Sequence, residues 1–321
     1  TFNDLIRGDV TFDHNFVPDF VLVRADGSPL YTLAVAVDDI LMKVTHVLRG
    51  EDLLSSTPRQ IRVYQAMGVK IQDYPVFAHL PFVMGQDNAK LSKRNGEVSI
   101  AWYREMGFLP EAICNYLALL GWSPGDDLEN ITMKQLTEMF TVEKVHSSPA
   151  RFDMKKLEAI NGDKIRALTL DDFLKWSLPF LTKADVITGT DAEIELVKKA
   201  LPIIQERIIM LNEVPKMLKF LFTKNFAVEA ESVSKITDDA SKEILKRSVK
   251  ELETVSDWTH TNIEAVLRAS LIEEMALKPR IAFTALRIAT TGSTISPPLF
   301  ESMELLGKEA CLLRINAGLA L

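Results

Sequence analysis

The sequence predicts an α/β fold that continues into a mostly α-helical one. Residues 43–49 (KVTHVLR) are rich in β-branched side chains and predict a short buried strand. Residues 57–67 (TPRQIRVYQAM) predict the next helix, with Thr57 as N-cap, Pro58 at the first position and Gly68 just past the end. A strand followed by a helix is typical of a parallel α/β sheet.

The segments on either side follow the same division. Before the strand, residues 20–37 contain two apolar runs separated by Ala-Asp-Gly-Ser, which predicts a hairpin. From about residue 100 onward, apolar residues recur at helical spacing. Three stripes or caps mark predicted helices: Ile113, Leu117 and Leu120 in residues 110–120; Leu201, Ile204, Ile208 and Leu211; and a Thr261–Glu264 capping box before Ile263, Val266, Leu267 and Leu271. Residues 181–192 and 230–241 are the best linker candidates.

The composition excludes several classes of protein and leaves others open. A chain of 321 residues suits two or three domains. No run of about eighteen uncharged apolar residues occurs, which argues against a membrane span. Cys114 and Cys311 form no CxxC pair, so we expect neither a disulfide framework nor zinc, and we expect a cytoplasmic protein. A net charge of −7 argues against tight non-specific nucleic-acid binding, but only a contacting surface needs to be positive.

A basic pentapeptide, KLSKR at residues 90–94, follows the turn-rich residues 85–89. Two lysines three residues apart on a loop suit a polyanion that gains charge during reaction, because an ammonium group can follow a moving phosphate. Taken alone, the pentapeptide is more typical of a solvated basic loop than of a phosphate site. Its meaning therefore depends on the segments around it.

Three segments together resemble the bacterial glutamyl-tRNA synthetases, which are class I aminoacyl-tRNA synthetases. They are HVLRGEDLLSSTPRQ at residues 46–60, His79-Leu80-Pro81 followed by KLSKR, and the tail KPRIAFTALRIATTGSTISPPLFE at residues 278–301. The resemblance runs from Pro29 to Gly307. It implies the C-terminal half of a Rossmann-type nucleotide-binding fold, then a helical stem-contact region and an all-helical anticodon-binding domain.

The resemblance also implies five parts in chain order. Residues 1–33 would end an inserted acceptor-stem domain, and 34–84 would be the second half of the catalytic domain. The stem-contact region with the KLSKR loop would be 85–170. Two helical anticodon-binding subdomains would follow, at 171–229 and 230–321.

The ATP site is implied by the match of KLSKR to the KMSKS loop of the family. Lys90 and Lys93 would hold the phosphates, and Lys93 would stabilise the departing pyrophosphate. The ATP neighbours implied in full are Lys90, Ser92, Lys93, Arg94, His79 and Leu80. Mg²⁺ would be carried mostly by the ATP phosphates.

Tyr31 and Arg49 match positions that the family uses for glutamate. An acidic amino acid needs a cation for its side-chain carboxylate, which arginine can bind through two hydrogen bonds. Without the resemblance, Arg49 would be read as a partner of Glu51 or Asp52 beside it. Tyr31, in a predicted strand, would be read as half-buried packing.

The tail matches the part of the family that reads the anticodon. Arg287 lies nine residues before Ser296, and the resemblance places Arg287, Ser296, Pro297 and Leu299 around the bases. Extruded bases are read by stacking, guanidinium planes and loop backbone groups, which suits this composition. Arg207 matches a further family arginine through a looser alignment. The alternative is a turn that follows a helix, with Arg287 on a solvated face.

The His-x-Gly-His signature of class I enzymes does not occur here, so we expect the N-terminal part of the catalytic domain to lie elsewhere. The resemblance implies a glutamate–tRNA ligase that uses ATP, glutamate and tRNA(Glu) and is a monomer when complete. The present chain would be inactive alone and would expose a sheet edge. The alternatives are a non-catalytic tRNA-binding fragment or paralogue, or an enzyme that also charges tRNA(Gln).

Overall fold

The computed structural model describes residues 1–85, 91, 99–125, 128–223 and 226–321. These residues form two compact units. The first, here called the sheet unit, contains Thr1–Tyr103 and Pro110–Ile160; the second, the helical unit, contains Arg104–Leu109 and Asn161–Leu321. No helix within these ranges is both long and apolar enough to cross a membrane.

The strands all belong to the sheet unit. They are β1 (Phe2–Asp4), β2 (Gly8–Val10), β3 (His46–Gly50), β4 (Val76–Leu80), β5 (Val83–Met84) and β6 (Ala150–Arg151). Four of them form a sheet of order β2-β1-β4-β3, in which β4 runs parallel to β1 and β3. The pair β5–β6 is also parallel.

Helices make up most of the remainder. In chain order they are α1 (Tyr31–Leu41), α2 (Thr57–Ala66), α3 (Ile100–Met106), α4 (Pro110–Leu119), α5 (Met133–Met139), α6 (Met154–Arg166), α7 (Leu170–Lys183), α8 (Asp191–Ala200), α9 (Pro202–Gln205), α10 (Val214–Phe222), α11 (Ala230–Val233), α12 (Asp239–Glu253), α13 (His260–Leu267), α14 (Pro279–Thr291), α15 (Leu299–Leu306) and α16 (Lys308–Leu319). A π-helical turn, Arg268–Glu274, continues α13. Within the described residues, β6 alone interrupts the predicted helical character after residue 100.

The sheet unit is built around β4, whose Phe77 and Ala78 are buried. Helices α1 and α2 contribute Ala36, Val63 and Tyr64 to the same apolar core. The predicted strand of residues 43–49 is confirmed as β3, but it is not buried, because it lies at the edge of the sheet and leaves Leu48 52% exposed. The expected exposed sheet edge is therefore present at β3 in the described part of the chain.

The predicted hairpin at residues 20–37 is only half correct. Val23 pairs with Pro29 in an antiparallel bridge around the turn at Gly27, but the second apolar run is helix α1. Tyr31 therefore begins a helix instead of lying in a strand. As a helix, the run places Leu33, Ala36 and Ile40 against the core and leaves Asp38 exposed.

Three local predictions also need correction. The hydroxyl of Thr57 does not cap α2, since Ser56 occupies the N-cap position without a side-chain bond. Helix α13 is capped by Thr259, whose hydroxyl accepts a hydrogen bond from the Asn262 amide, and not by Thr261. In α4 the buried side chains are Ala112, Asn115 and Tyr116, whereas Leu117 is exposed.

The helical unit buries the stripes that the periodicity predicts. Leu201, Ile204, Ile208 and Leu211 are all enclosed, although α9 covers only part of that segment. A second core joins α12, α13, α14, α15 and α16. The linker candidates at 181–192 and 230–241 contain the ends and starts of helices within this unit.

Two positions in the helical unit require glycine because of the local backbone. Gly107 has φ +89°, and a Cβ there would lie 2.5 Å from the backbone nitrogen of Leu211. Gly292 ends α14 in the left-handed conformation with φ +87°. Its carbonyl accepts a hydrogen bond from the Glu229 amide, which holds the start of the following turn.

Candidate functional site

The guanidinium of Arg49 is fixed at the end of β3 by uncharged acceptors. Its Nε donates to Nε2 of His79 at 3.0 Å. Its Nη2 donates to Thr57 Oγ1 and Gln60 Oε1, both at 2.8 Å, and to the Leu53 carbonyl at 3.3 Å. These contacts hold the side chain in one orientation.

The remaining nitrogen of Arg49, Nη1, is buried and has no hydrogen-bond partner. A buried donor left unpaired costs about 1–3 kcal/mol, more when it is charged. No carboxylate within the described residues forms an ion pair with Arg49. The arrangement is therefore short of one anionic acceptor at Nη1.

A buried imidazole and carboxylate lie behind Arg49. His79 on β4 and Asp4 on β1 are 0% and 1% exposed, and Nδ1 of His79 lies 2.6 Å from Asp4 Oδ2. Burial lowers the pKa of His79, against the hydrogen bond that its ring donates to Asp4, so the imidazole is neutral near pH 7. Burial pushes the pKa of Asp4 upward, but hydrogen bonds from His79, Ile6 and Arg7 outweigh it and leave that pKa below its ordinary value.

Glu51, next to Arg49 in sequence, pairs with a different arginine. Its Oε2 contacts the guanidinium of Arg7, and its Oε1 accepts a hydrogen bond from the Phe82 amide at 2.8 Å. Arg49 is thus not a partner for Glu51. The Glu51 carboxylate instead connects Arg7, just after β1, with Phe82, just after β4, and does not pair with Arg49.

Tyr31, the other residue predicted to contact glutamate, is 51% exposed at the start of α1. Tyr64 links its surroundings to those of Arg49. Burial raises the pKa of Tyr64, and so do the charge and hydrogen bond of Asp39, while Arg49 lowers it and Tyr31 raises it. The predicted pair therefore lies within electrostatic range of one buried phenol.

The residues predicted to contact ATP divide into two groups. The His79 imidazole is enclosed and both its nitrogen atoms are engaged, so in this conformation it does not face a nucleotide, whereas Leu80 is 38% exposed. Lys90, Ser92, Lys93 and Arg94 lie outside the described residues.

In the helical unit, Arg287 on α14 contacts the turn that precedes α15. Its Nη1 donates to Ser296 Oγ and to the Pro297 carbonyl, both at 2.7 Å. Burial lowers its pKa, and so does the positive charge of Arg207, whereas Glu301 raises it. Its Nε and Nη2 make no hydrogen bond within the described residues.

The structure brings four of the five residues predicted to contact the anticodon close together. Arg207 is exposed and lies within electrostatic range of Arg287, which holds Ser296 and Pro297. Leu299 differs, because it is 4% exposed and belongs to the apolar core. Its side chain supports the turn from below and is not presented at the surface.

Comparisons with known proteins match both units. The family described as "tRNA synthetases class I (E and Q), catalytic domain" matches residues 1–159, and "Anticodon binding domain" matches residues 153–319. A glutamate–tRNA ligase of Leifsonia xyli is 47% identical over 99% of this chain and 67% of its own length. This chain belongs to the glutamate–tRNA ligase family.

Other members of the glutamate–tRNA ligase family agree in sequence and in fold. The ligase of Saccharopolyspora erythraea is 48% identical over 99% of this chain, which spans 64% of that relative and corresponds to its C-terminal portion. The crystal structure of a glutamate tRNA ligase from Elizabethkingia meningosepticum, in complex with its amino acid, superposes with a TM-score of 0.82 at 29% identity. That match covers 99% of this chain and 65% of the other. The predicted fold class is confirmed.

The sequence did not predict that Thr57 and Gln60 contact Arg49, or that Asp4 lies behind it through His79. Asp4 is separated from His79 by 75 positions and acts only through the parallel pairing of β1 with β4. Thr57 and Gln60 carried a usable signal: two polar residues one helical turn apart, at the start of a helix that follows Arg49. No group of three His, Cys, Asp or Glu that could hold a metal occurs in the part of the chain that the structure describes.

Proposed function

We propose that this chain is the C-terminal portion of a glutamate–tRNA ligase, which activates glutamate with ATP and transfers it to the 3′ end of tRNA(Glu). The observation that carries the proposal is the order of the two matches along one chain, with the catalytic domain followed by the anticodon-binding domain. A single chain of this kind joins chemistry at one end of a tRNA to recognition at the other.

Glutamate is the proposed ligand of Arg49. Its side-chain carboxylate would accept a hydrogen bond from Nη1, which is buried and otherwise unpaired. Charge-assisted hydrogen bonds are about twice as strong as neutral ones, and the fixed guanidinium loses little entropy when the ligand binds. Tyr31 would lie beside the same ligand, a role supported by the electrostatic influence that both Tyr31 and Arg49 have on Tyr64.

ATP is the proposed second substrate, and Mg²⁺ would neutralise charge on its phosphates. Lys90 and Lys93, which match the KMSKS loop of the family, would add positive charge beside the same phosphates. In the reaction, the α-carboxylate of glutamate attacks the α-phosphate and pyrophosphate leaves. The 3′-terminal ribose hydroxyl of tRNA then attacks the carbonyl carbon and AMP leaves. Lys93 would stabilise the pyrophosphate, an effect typically worth roughly 3–4 kcal/mol.

The anticodon is the proposed ligand of the turn at Ser296 and Pro297, together with Arg287 and Arg207. Nη1 of Arg287 holds the turn, and its Nε and Nη2 form no other hydrogen bond within the described residues, so one side chain would both shape the loop and contact a base or phosphate. Leu299 would act from the core by supporting this turn.

The test uses a full-length ligase, meaning a protein in which this chain is preceded by the N-terminal portion that its relatives carry. We expect it to charge tRNA(Glu) with glutamate, and we expect Lys93→Ala to lower the charging rate strongly while leaving tRNA affinity intact. Lys70→Ala, which removes an exposed lysine of the same unit, serves as the control. The alternative, a tRNA-binding module without catalysis, predicts no effect of Lys93→Ala. We also expect this chain by itself to bind tRNA without forming glutamyl-adenylate.

A further inference from the structure

A buried chain of hydrogen bonds runs from Asp4 through His79 to Arg49. Asp4 Oδ2 lies 2.6 Å from Nδ1 of His79, and Nε2 of the same ring lies 3.0 Å from Nε of Arg49. The carboxylate and the imidazole are both fully enclosed. All three residues come from neighbouring parallel strands, Asp4 from β1, His79 from β4 and Arg49 from β3, which makes their spacing a property of the sheet.

The chemistry of arginine decides where the proton of His79 lies. A guanidinium nitrogen can only donate, so Nε2 of His79 must accept and carries no hydrogen. The ring proton is therefore on Nδ1 and is donated to Asp4. If His79 were charged, or had its proton on Nε2, two N–H groups would face each other across 3.0 Å.

The other groups around the ring leave this proton arrangement in place. Arg7 donates from Nε to the backbone carbonyl of His79 and lies beside its own partner, Glu51. Thr57 Oγ1 is 3.2 Å from Nε2, and its hydroxyl can donate a hydrogen bond to that nitrogen. Positive charge from Arg49 and Arg7 opposes protonation of the imidazole, whereas Asp4 favours it.

We propose that Asp4 is a positioning residue: by holding the proton on Nδ1 of His79, it keeps Nε2 as an acceptor and so orients the guanidinium of Arg49 toward the substrate carboxylate. The inference rests on the proposed role of Arg49 in binding glutamate. It adds a residue from β1, 45 positions before Arg49 in sequence, that touches no substrate itself.

The substitution Asp4→Asn tests the idea because the surroundings fix the orientation of the new amide. Asp4 Oδ1 accepts hydrogen bonds from the amides of Ile6, Arg7 and His79, at 3.0, 3.1 and 3.2 Å. In the variant the amide oxygen must occupy that position, which points the NH₂ group at Nδ1 of His79. The ring must then accept at Nδ1 and carry its proton on Nε2, against the Nε–H of Arg49.

Two measurements follow, one on this chain and one on the full-length ligase. Nitrogen-15 NMR of the His79 ring at pH 7 should show the Nδ1–H tautomer in the wild-type chain and the Nε2–H tautomer in Asp4→Asn. In charging assays, Asp4→Asn should raise the KM for glutamate by roughly tenfold or more, the range seen when a group that orients a ligand-binding side chain is removed. The KM for ATP should not change.

Asp9→Asn is the matched control, since it removes the same charge from an exposed position on β2 of the same unit. An Nε2–H or charged His79 in the wild-type chain would overturn the inference, and this measurement needs no variant to fold. So would a KM for glutamate in Asp4→Asn equal to that in Asp9→Asn. If Arg49→Lys also leaves that KM unchanged, the proposed role of Arg49 fails; if only Asp4→Asn is silent, the positioning role alone fails.

Discussion

Arg49 in the sheet unit and Arg287 in the helical unit are both held by uncharged acceptors, but the acceptors reach them in different ways. The contacts of Arg49 come from β4, from the start of α2 and from the segment between β3 and α2, with Asp4 of β1 behind them. The contacts of Arg287 come from one turn nine and ten residues later. Nη1 of Arg49 is buried and unpaired, whereas no nitrogen of Arg287 is both buried and unpaired within the described residues.

This difference suits ligands of different size. A sealed donor in a rigid frame suits a small acid that must be recognised by one carboxylate, because desolvated charge discriminates strongly. An open guanidinium on a stiff turn suits a large polyanion that approaches from solvent. Variants of the two arginines should therefore differ in whether they weaken glutamate binding or tRNA binding.

The largest effect is expected from Arg49→Lys. A lysine keeps the charge but cannot reproduce five N–H donors in a fixed plane, so it should lose the orientation of the ligand carboxylate. Loss of a charge-assisted hydrogen bond costs about 2–3 kcal/mol, which corresponds to a rise of roughly 30- to 150-fold in the KM for glutamate. Steady-state charging kinetics of the full-length ligase measure it. The affinity of the same variant for tRNA(Glu) should not change. If the variant lost affinity for both glutamate and tRNA(Glu), the contrast between the two arginines would be wrong.

A somewhat smaller and opposite pattern is expected from Arg287→Ala. Removal of an arginine that contacts a nucleic acid typically costs about 1–3 kcal/mol. Titration of tRNA(Glu) at one stated salt concentration should show this loss, while the KM for glutamate stays at the wild-type value. Arg280→Ala, on the exposed first turn of the same helix, is the control. Equal losses in the two variants would indicate general electrostatics and not a specific contact.

A dependence of glutamate affinity on pH is expected from His79 in the sheet unit. The pKa of His79 is below its ordinary value of 6.5, so the stability that its neutral form contributes is complete above that pH and is lost as the pH falls through the lower folded value. Glutamate affinity should follow, by at most about tenfold per pH unit because one proton is linked. Titration of the KM for glutamate from pH 7.5 downward measures this. A Gln at position 79 should flatten the profile; a profile that keeps its slope in His79→Gln would contradict the assignment.

The smallest effect is expected from Ser296→Ala. Arg287 loses its contact with the hydroxyl but keeps the Pro297 carbonyl at 2.7 Å. A single hydrogen bond contributes about 1 kcal/mol, so the affinity for tRNA(Glu) should fall by roughly fivefold. Binding titration beside Ser293→Ala, in the same turn, checks this. No change, or a loss as large as that of Arg287→Ala, would show that the hydroxyl does not act through Arg287.

The same contrast explains how much the sequence could predict. The Arg287 turn could be predicted because its parts lie nine residues apart and two prolines mark the loop. Local patterns also predicted β3, α2 and the helical character after residue 100. Tyr31 was placed in a strand because apolar density alone does not separate a short strand from a helix that buries one face. Asp4 had no local signal at all, since its partner lies 75 residues away across a parallel sheet.

The capping error at Thr57 has a tertiary cause. A hydroxyl can serve either the helix end or a tertiary partner, and tertiary partners are not visible in a local pattern. Thr57 binds Arg49 instead of capping α2, and α13 is capped two residues earlier than its most regular sequence signature. The five-part division and the roles of Lys90 and Lys93 remain predictions.

Discrimination between glutamate and glutamine tests the proposed role of Arg49 most directly, because the two amino acids differ by one charged group. The measurement is the ratio of kcat/KM for glutamate to that for glutamine, in the full-length ligase and in Arg49→Gln. We predict a strong preference for glutamate in the wild type and its loss in the variant, since a neutral amide cannot favour a carboxylate. A variant that still prefers glutamate to the same degree would show that another group reads the substrate and would contradict the account.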